Sequence, residues 1–316
     1  MERTMRVAVF GSGAVGGYFG GRIAKAGHDV TFIARGAHLD SIRRDGLRVT
    51  SIAGDFVVHP ASATDDPASI GPVDLVLVGV KAWQIAEAAA GMRALMGPDT
   101  MVVPLENGVE APYELARALG AQHALGGLCR VLAFVTGPGQ IQHAGIDPYL
   151  AFGELNGARS ERVDRLLRTL ESVPGFRVEV PDDIRVAMWN KFLVIASWGA
   201  VGAVTRAPVG VVRNIPESKD LMLRTLREVC DVAAAHGVQL TADSAERTMA
   251  FVETLPADGT TSMQRDIMAG KPSELEAQVG AVVRLAAEAG VEVPVHRTIY
   301  EALLPQERVA RGQLPQ

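Results

Sequence analysis

At 316 residues, 48% of them hydrophobic and 21% charged, the chain can bury a large core and has the length of two domains. A net charge of −5 supplies no basic footprint for nucleic acid. The two cysteines, Cys129 and Cys230, lie far apart and form no CxxC pair, which fits a reducing cytoplasm rather than a disulfide framework. The seven histidines show no HxxxH pair or comparable spacing, so no metal site is expected. No signal segment precedes the first predicted strand. The most apolar window, Phe192 to Val204, contains two glycines and falls short of the about 20 helical residues that span a bilayer, so no membrane partner is expected.

The informative stretch runs from Met5 to Arg35. Val7, Ala8, Val9 and Phe10 read as a buried parallel strand that breaks at Gly11-Ser12-Gly13-Ala14-Val15-Gly16, where a helical pattern begins. Gly11 permits the tight turn, Gly13 leaves room for a pyrophosphate against the backbone, and Gly16 lets the helix pack closely on the strand. Free N–H groups of the first helical turn then face the ligand. The helix reaches about Ala26, Gly27 fits its C-terminal cap, and Asp29 to Ala34 reads as a second strand. GxGxxG alone is weak, but the strand-turn-helix-strand context makes it a dinucleotide site of Rossmann type. Where NAD-binding chains carry an acid at the end of strand two, this chain has Arg35, and no acid follows in sequence until Asp40. A guanidinium pairs with a 2′-phosphate, so the cofactor reads as NADPH; the competing reading is a solvated loop arginine.

Farther on, Ala37 to Asp45 reads as a short helix and Leu47 to His59 as two short strands, with Thr64 to Gly71 turn-rich. Val73 to Val80 is a buried strand ending in Lys81-Ala82-Trp83-Gln84, and an Ala-rich helix follows to about Met96. Met101 to Leu105 is the next strand, closing on Glu106-Asn107-Gly108 before a helix from Tyr113 to Leu119. Lys81 and Asn107 thus stand at strand ends, the edge where open α/β sheets bind ligands. Strands follow at Leu128 to Val135, Gln140 to His143 and Tyr149 to Phe152, with turns at Gly137-Pro138-Gly139 and Asp147-Pro148; then come a helix at Ser160 to Val173 and a strand at Arg177 to Val180. After Asp182-Asp183 everything reads as helix: 184–204, 218–236, 242–255, 262–269, 273–289 and 295–304. The expected layout is an N-terminal α/β dinucleotide-binding domain over residues 1–182 and an all-α C-terminal domain over 183–316.

Between Val186 and Thr205 the only charge is Lys191, and its helical neighbours are Ala187, Met188, Val194 and Ile195. A lysine is rarely placed in such a stripe without a purpose. When hydride reaches a carbonyl carbon, the oxygen gains charge that must be stabilised and protonated, and an ammonium does both. The alternative is a lysine that snorkels along a domain seam or pairs with a structural carboxylate.

Taken together, Gly11–Gly16, Lys81-Ala-Trp-Gln84, Asn107-Gly108, Trp189-Asn-Lys191 and Ser262-Met-Gln-Arg-Asp-Ile267 followed by Ser273-Glu274 resemble the ketopantoate reductase (2-dehydropantoate 2-reductase) family over nearly the full chain. The resemblance implies NADPH-dependent reduction of a 2-keto acid to a 2-hydroxy acid. Lys191 takes the place of the family's catalytic acid and carbonyl-oxygen partner, and Glu274 that of the glutamate holding the substrate hydroxyl. Ser262 falls on a substrate-contacting serine, Lys81 and Asn107 on positions at the nicotinamide end, and Arg35 on the residue at the adenosine phosphate; Asn107 is also a substrate-side candidate. From the residues alone Ser273 with Glu276 makes a capping box in which Glu274 is merely a first-turn acid, Ser262 caps its helix, and Lys81 is a surface lysine.

The chain departs from the family at Ile195, Gly199, Val209 and Val279, where asparagines usually stand. Lost amide donors leave room for a reductase of another 2-keto acid, or for an NADPH-binding sensor without catalysis. A short-chain dehydrogenase is excluded, since Arg22, Arg117, Gly153 and Leu304 occupy the fourth position after the four tyrosines. The apolar faces of 218–236 and 279–289 read either as a homodimer surface or as core.

Overall fold

The parallel strands and the helix that leaves the glycine turn set the architecture of the first half. The structure is a computed structural model and describes residues 4–314. Five parallel strands form one sheet in the order β5-β2-β1-β6-β7: β1 is Arg6–Phe10, β2 Asp29–Ile33, β5 Ser62–Thr64, β6 Leu75–Val78 and β7 Met101–Pro104. In register, Val9 lies between Phe32 and Leu77, all three without exposure, as strands covered on both faces require. A second sheet has the order β10-β9-β3-β4, with β8 antiparallel to β9; β3 is Leu47–Ser51, β4 Phe56–Val58, β8 Gly126–Gly137, β9 Gln140–Gly153 and β10 Arg177–Glu179.

Helix α1, Ala14–Lys25, lies between the two sheets, and its sequence AVGGYFGGRIAK shows why it can. A Cβ on Gly20 would come within 2.4 Å of Val9 in the first sheet, and one on Gly17 within 2.2 Å of Ile141 in the second. Glycines three residues apart, each turned to a different sheet, therefore let both sheets close on the helix. Tyr18, Phe19 and Ile23 fill the rest of that core. The cost of helical glycine, roughly 1 kcal/mol each, is offset by apolar burial on two sides. Arg22, 7% exposed, is satisfied by Ser51 Oγ and the carbonyls of Ala53 and Gly54 while its guanidinium stacks 4.4 Å from the Phe56 ring centre.

Several boundaries differ from expectation. β5 lies between the two expected short strands and the turn-rich stretch, where no element was expected: its polar Ser-Ala-Thr sits at the sheet edge, where no hydrophobic pattern is demanded. Asp147-Pro148 does not separate two strands. It lies in a bulge of the single strand β9, where pairing passes from Arg130↔Tyr149 to Leu132↔Ala144, and Gly145 at φ 79° turns the chain. Between the sheets and the later helices come α2 (Gly36–Asp45), α3 (Ile85–Met92), α4 (Ala111–Leu119) and α5 (Glu161–Glu171).

Contacts divide the chain into two units, Met1–Glu106 with Ala111–Ile184, and Asn107–Glu110 with Arg185–Gln316. The tetrapeptide after β7 thus packs with the helical unit although its neighbours in sequence belong to the first. That unit contains α6 (Ile184–Thr205), α7 (Val209–Asn214), α8 (Pro216–Ala235), α9 (Ser244–Thr254), α10 (Ser262–Met268), a π-helical segment at Glu276–Gly280 running into α11 (Ala281–Ala289), and α12 (Pro294–Ala310). By length and composition alone α6 could cross a bilayer, but 61% of its most apolar window is buried inside the protein, the signature of a core helix. The short helix α7 was not expected; Val209 and Gly210 donate to the carbonyls of Gly259 and Ala257, which hold it in place. α12 runs past Pro305, because the bond that proline forfeits belongs to Glu301 on an exposed face while Leu303 and Glu307 stay buried opposite. Met222, Leu226 and Val229 of α8 and Val282 and Ala286 of α11 are buried, so the two apolar faces left open by the sequence are core.

Candidate active site

In the first unit the glycine turn has the geometry of an anion cradle. Gly11 adopts φ 94°, and a Cβ there would lie 2.8 Å from the backbone of Gly79 and Val80 on the neighbouring strand connection, so only glycine fits. A Cβ on Gly16 would lie 2.2 Å from the Gly11 carbonyl oxygen, whereas one on Gly13 would meet nothing within 4 Å. The turn is closed where a helix must pack and open where a ligand must approach. Gly11 and Ser12 donate backbone N–H groups to the Ile33 carbonyl, as does Ser12 Oγ at 3.1 Å. Gly17 is the first amide to bond within α1, to Gly13, so the N–H groups of Ala14, Val15 and Gly16 precede the helical ladder and lie where a pyrophosphate binds. The cradle therefore fits a dinucleotide. His38 braces it: Gly139 N–H donates to His38 Nδ1 at 3.0 Å, which leaves Nε2 to donate to the Ser12 carbonyl at 2.8 Å. No sequence motif announced His38, whose two partners are 26 and 101 residues away.

Arg35 stands just past β2, two residues from the Ile33 carbonyl that anchors the turn. Its side chain is 73% exposed and pairs with Glu87 of α3 at 3.1 Å. The absence of a nearby acid in sequence does not hold in space: Glu87, fifty-two residues on, supplies one. An exposed pair of this kind is worth about 0–1 kcal/mol, weak enough for a phosphate dianion to compete for the guanidinium. Lys81 follows β6, is exposed, and places Nζ 5.7 Å from the Trp83 ring centre, while its N–H is held by Gln84 Oε1.

The second unit assembles a carboxylate site from residues far apart in sequence. Glu274, 6% exposed, accepts at Oε2 from Asn107 Nδ2 at 3.1 Å and from Gln278 Nε2 at 3.3 Å. Asn107 is carried by the tetrapeptide after β7, whose Gly108 (φ 118°) sits against the Ala277 carbonyl, 3.0 Å from where a Cβ would be. The backbone beyond Glu274 is π-helical, with Gly280 N–H bonded to the Leu275 carbonyl, a widening that often marks a working segment. Ser273 makes no capping box with Glu276. Its N–H and hydroxyl both donate to the buried carboxylate of Glu307, the hydroxyl at 2.6 Å, and Glu307 also takes Arg311 Nε. Glu276 instead accepts from Tyr300, whose hydroxyl is pushed up to about 12 by burial and by that carboxylate, and pairs with Arg284. Glu274 is thus a separately held acid on a backbone pinned from behind.

Lys191 lies on α6, half-buried in a stripe with Ala187, Val194 and Ile195, also half-buried, and buried Met188. Among the described residues it makes no hydrogen bond or ion pair, so the reading that ties it to a structural carboxylate falls away. Two turns on, about 12 Å along the axis, Gly199 faces the carboxylate network: a Cβ there would stand 3.2 Å from Gln278 Oε1, 2.9 Å from Met263 Cε and 3.6 Å from Thr261 Oγ1. The face that carries Lys191 therefore continues into the Gln278 wall. Ser262 is half-buried at the first turn of α10, but the capping oxygen is that of Thr261, which accepts from Gln264 N–H, so Ser262 is left for another task. The structure thus gathers Asn107, Glu274 and Gln278 directly and places the helix of Lys191 and the start of α10 beside them, while Gly11–Gly16, Arg35 and Lys81 share the carboxyl-end edge of the parallel sheet in the other unit. Val209 and Val279 are fully buried. Among the described residues no three His, Cys, Asp or Glu side chains are grouped to hold a metal.

Comparison with known proteins identifies the family and the fold. Residues 7–157 match the model of the family described as ketopantoate reductase PanE/ApbA, and residues 183–307 match the model of its C-terminal domain. A 2-dehydropantoate 2-reductase of Halobacterium salinarum is 32% identical over 96% of this chain and 99% of its own. The crystal structure of a PanE/ApbA family ketopantoate reductase from Ralstonia eutropha superposes with a TM-score of 0.88 at 31% identity, covering 97% of this chain and 100% of that one. D-mandelate dehydrogenase, solved with NADH and anilino(oxo)acetate, shares the fold at a TM-score of 0.86 and 20% identity, over 97% of this chain and 99% of its own.

Proposed function

Since this chain belongs to the ketopantoate reductase PanE/ApbA family and is a dinucleotide-dependent oxidoreductase, we propose that it uses NADPH to reduce a 2-keto acid to the 2-hydroxy acid, with 2-dehydropantoate the foremost candidate. The observation that carries this reading is Glu274: a carboxylate nearly excluded from solvent, fixed through one oxygen by Asn107 and Gln278, on a wall shared with the face of Lys191.

NADPH supplies the hydride. The glycine turn binds the pyrophosphate through the N–H groups of Ala14, Val15 and Gly16, and Gly13 keeps the approach clear. Arg35 exchanges Glu87 for the 2′-phosphate, and Lys81 with Trp83 borders the nicotinamide end. Lys191 directs its ammonium at the ketone oxygen, stabilises the charge that develops there and donates a proton from Nζ, leaving a neutral amine that is reprotonated from solvent. Glu274 offsets the ammonium charge and accepts a hydrogen bond from the 2-hydroxyl as it forms on the reduced carbon; Ser262 and Asn107 supply donors for the substrate. Ile195, Val209 and Val279 add no polar group, which supports a substrate set that differs in detail from that of asparagine-bearing relatives.

The test is initial-rate oxidation of NADPH with 2-dehydropantoate, pyruvate, 2-ketoisovalerate and oxaloacetate in parallel. Turnover of 2-dehydropantoate well above the other three is the expected result. Turnover of another member of the set would retain the chemistry and reassign the substrate, and no turnover of any would overturn the proposal.

A further inference from the structure

Gln278 carries more than the Glu274 hydrogen bond. It is 1% exposed, and only one end of its carboxamide is occupied. Nε2 donates to Glu274 Oε2 at 3.3 Å, an oxygen that also accepts from Asn107 Nδ2. That fixes the other end: Oε1 turns toward Gly199, 3.2 Å from where a Cβ of that residue would stand. Oε1 is completely buried and has no hydrogen-bond donor among the described residues. Leaving a buried carbonyl unpaired costs about 1–3 kcal/mol, so its presence beside Glu274 calls for an explanation.

The surroundings explain how the amide comes to be there. Gly199 offers no side chain, and any Cβ would crowd both Oε1 and Met263 Cε, so the glycine and the long amide complement each other. The π-helical segment Glu276–Gly280 contains Gln278, and the Gln278 N–H still bonds the Glu274 carbonyl at 3.0 Å. The two side chains are therefore held one turn apart on a rigid backbone.

We propose that Gln278 is a specificity-determining residue: its Oε1, presented over Gly199 beside Glu274, accepts a hydrogen bond from a hydroxyl on the substrate's carbon chain. The protein then favours 2-keto acids bearing such a donor over the same skeleton without it. This rests on the reductase reading and adds to it a stated substrate feature and a residue that selects it. The energetic logic is asymmetric, because a site built to pair a hydroxyl discriminates strongly against an analogue that leaves its carbonyl buried and unpaired.

A matched pair of substrates tests it: 2-dehydropantoate and trimethylpyruvate, which differ by the terminal hydroxyl alone. Their kcat/KM ratio is measured for the wild type, for Gln278→Met, which keeps length but has no amide, and for Gly199→Ala, which pushes the amide aside without touching its chemistry. The wild type is expected to prefer the hydroxylated substrate by at least about tenfold. Both variants should bring the ratio near unity through loss on that substrate, with the NADPH dissociation constant unchanged. Thermal unfolding identifies a variant that has lost its fold, in which case the other variant decides. A preference that survives in a folded Gln278→Met protein, or a wild type that turns over both substrates equally, overturns the role of Gln278 and leaves the reductase assignment standing. A wild type inactive on every 2-keto acid overturns both.

Discussion

The two units build their sites by opposite means. In the first, the working groups are backbone amides within one short stretch, Gly11–Gly16, and the side chains that matter are mostly absent ones: a Cβ at Gly11 or Gly16 has no room, and one at Gly13 would stand in the open. In the second, the proposed working groups are side chains, Asn107, Lys191, Glu274 and Gln278, carried by separate elements, and Asn107 reaches Glu274 across 167 residues of sequence. A site made of backbone is written in contiguous sequence and is sensitive to anything added. A site made of side chains is written in the tertiary fold and is sensitive to anything removed.

The contrast sharpens into substitutions with graded effects. Gly16→Val should be the most severe, since its first side-chain atom would fall 2.2 Å from a backbone oxygen that cannot move aside; no NADPH binding should be detectable by fluorescence titration, with a lowered melting temperature. Retained tight binding would show that the turn is not the cradle. Glu274→Gln preserves shape and removes charge, and should lower kcat by about 10²–10³-fold while the cofactor dissociation constant stays put; steady-state and binding measurements on the same preparation check both halves of that statement.

Smaller effects probe parts outside the chemistry. Glu228 is buried against His296, accepting from its ring at 2.7 Å and from the N–H groups of Val295 and His296. Burial by itself would raise the Glu228 pKa, but these bonds together outweigh it and hold the carboxyl below its ordinary value. A depressed folded-state pKa means that the contribution to stability is complete above the unfolded value and is lost as pH falls through the folded one. The melting temperature should therefore drop on acidification below the usual glutamate range, and Glu228→Gln should flatten that part of the curve at a cost of about 1–3 kcal/mol near neutrality. An identical acid profile in the variant would remove Glu228 from the account. Smallest is Glu87→Gln: releasing Arg35 from an exposed pair should raise the preference for NADPH over NADH by about fivefold or less, measured as the ratio of dissociation constants. A fall in that ratio would mean that Glu87 helps to hold the phosphate arginine rather than competing for it.

These regions also differ in how much of them sequence reveals. The strand-turn-helix-strand unit was readable because hydrophobic period, glycine spacing and a cap coincide within thirty residues, and Lys191 stands out as a candidate because a lone charge in an apolar helix violates its own pattern. Glu87, His38 and Gln278 gave no such sign. Each acts on a partner that only folding brings near, and each is an ordinary polar residue by composition. The capping box expected at Ser273 failed for the same reason: Glu307, thirty-four residues away, is a stronger partner for that hydroxyl than Glu276. Asp147-Pro148 gave a genuine turn signal that the fold spends on a bulge inside β9, a choice that depends on strand β8 opposite.

The central claim is that cofactor binding belongs to the backbone cradle and proton transfer to Lys191, so that the two can be separated. The direct test is Lys191→Ala, assayed for 2-keto-acid-dependent NADPH oxidation and, on the same protein, for NADPH affinity by fluorescence. The account predicts a loss of turnover of about 10³-fold or more with affinity within twofold of wild type. Turnover that survives the loss of the ammonium would contradict it.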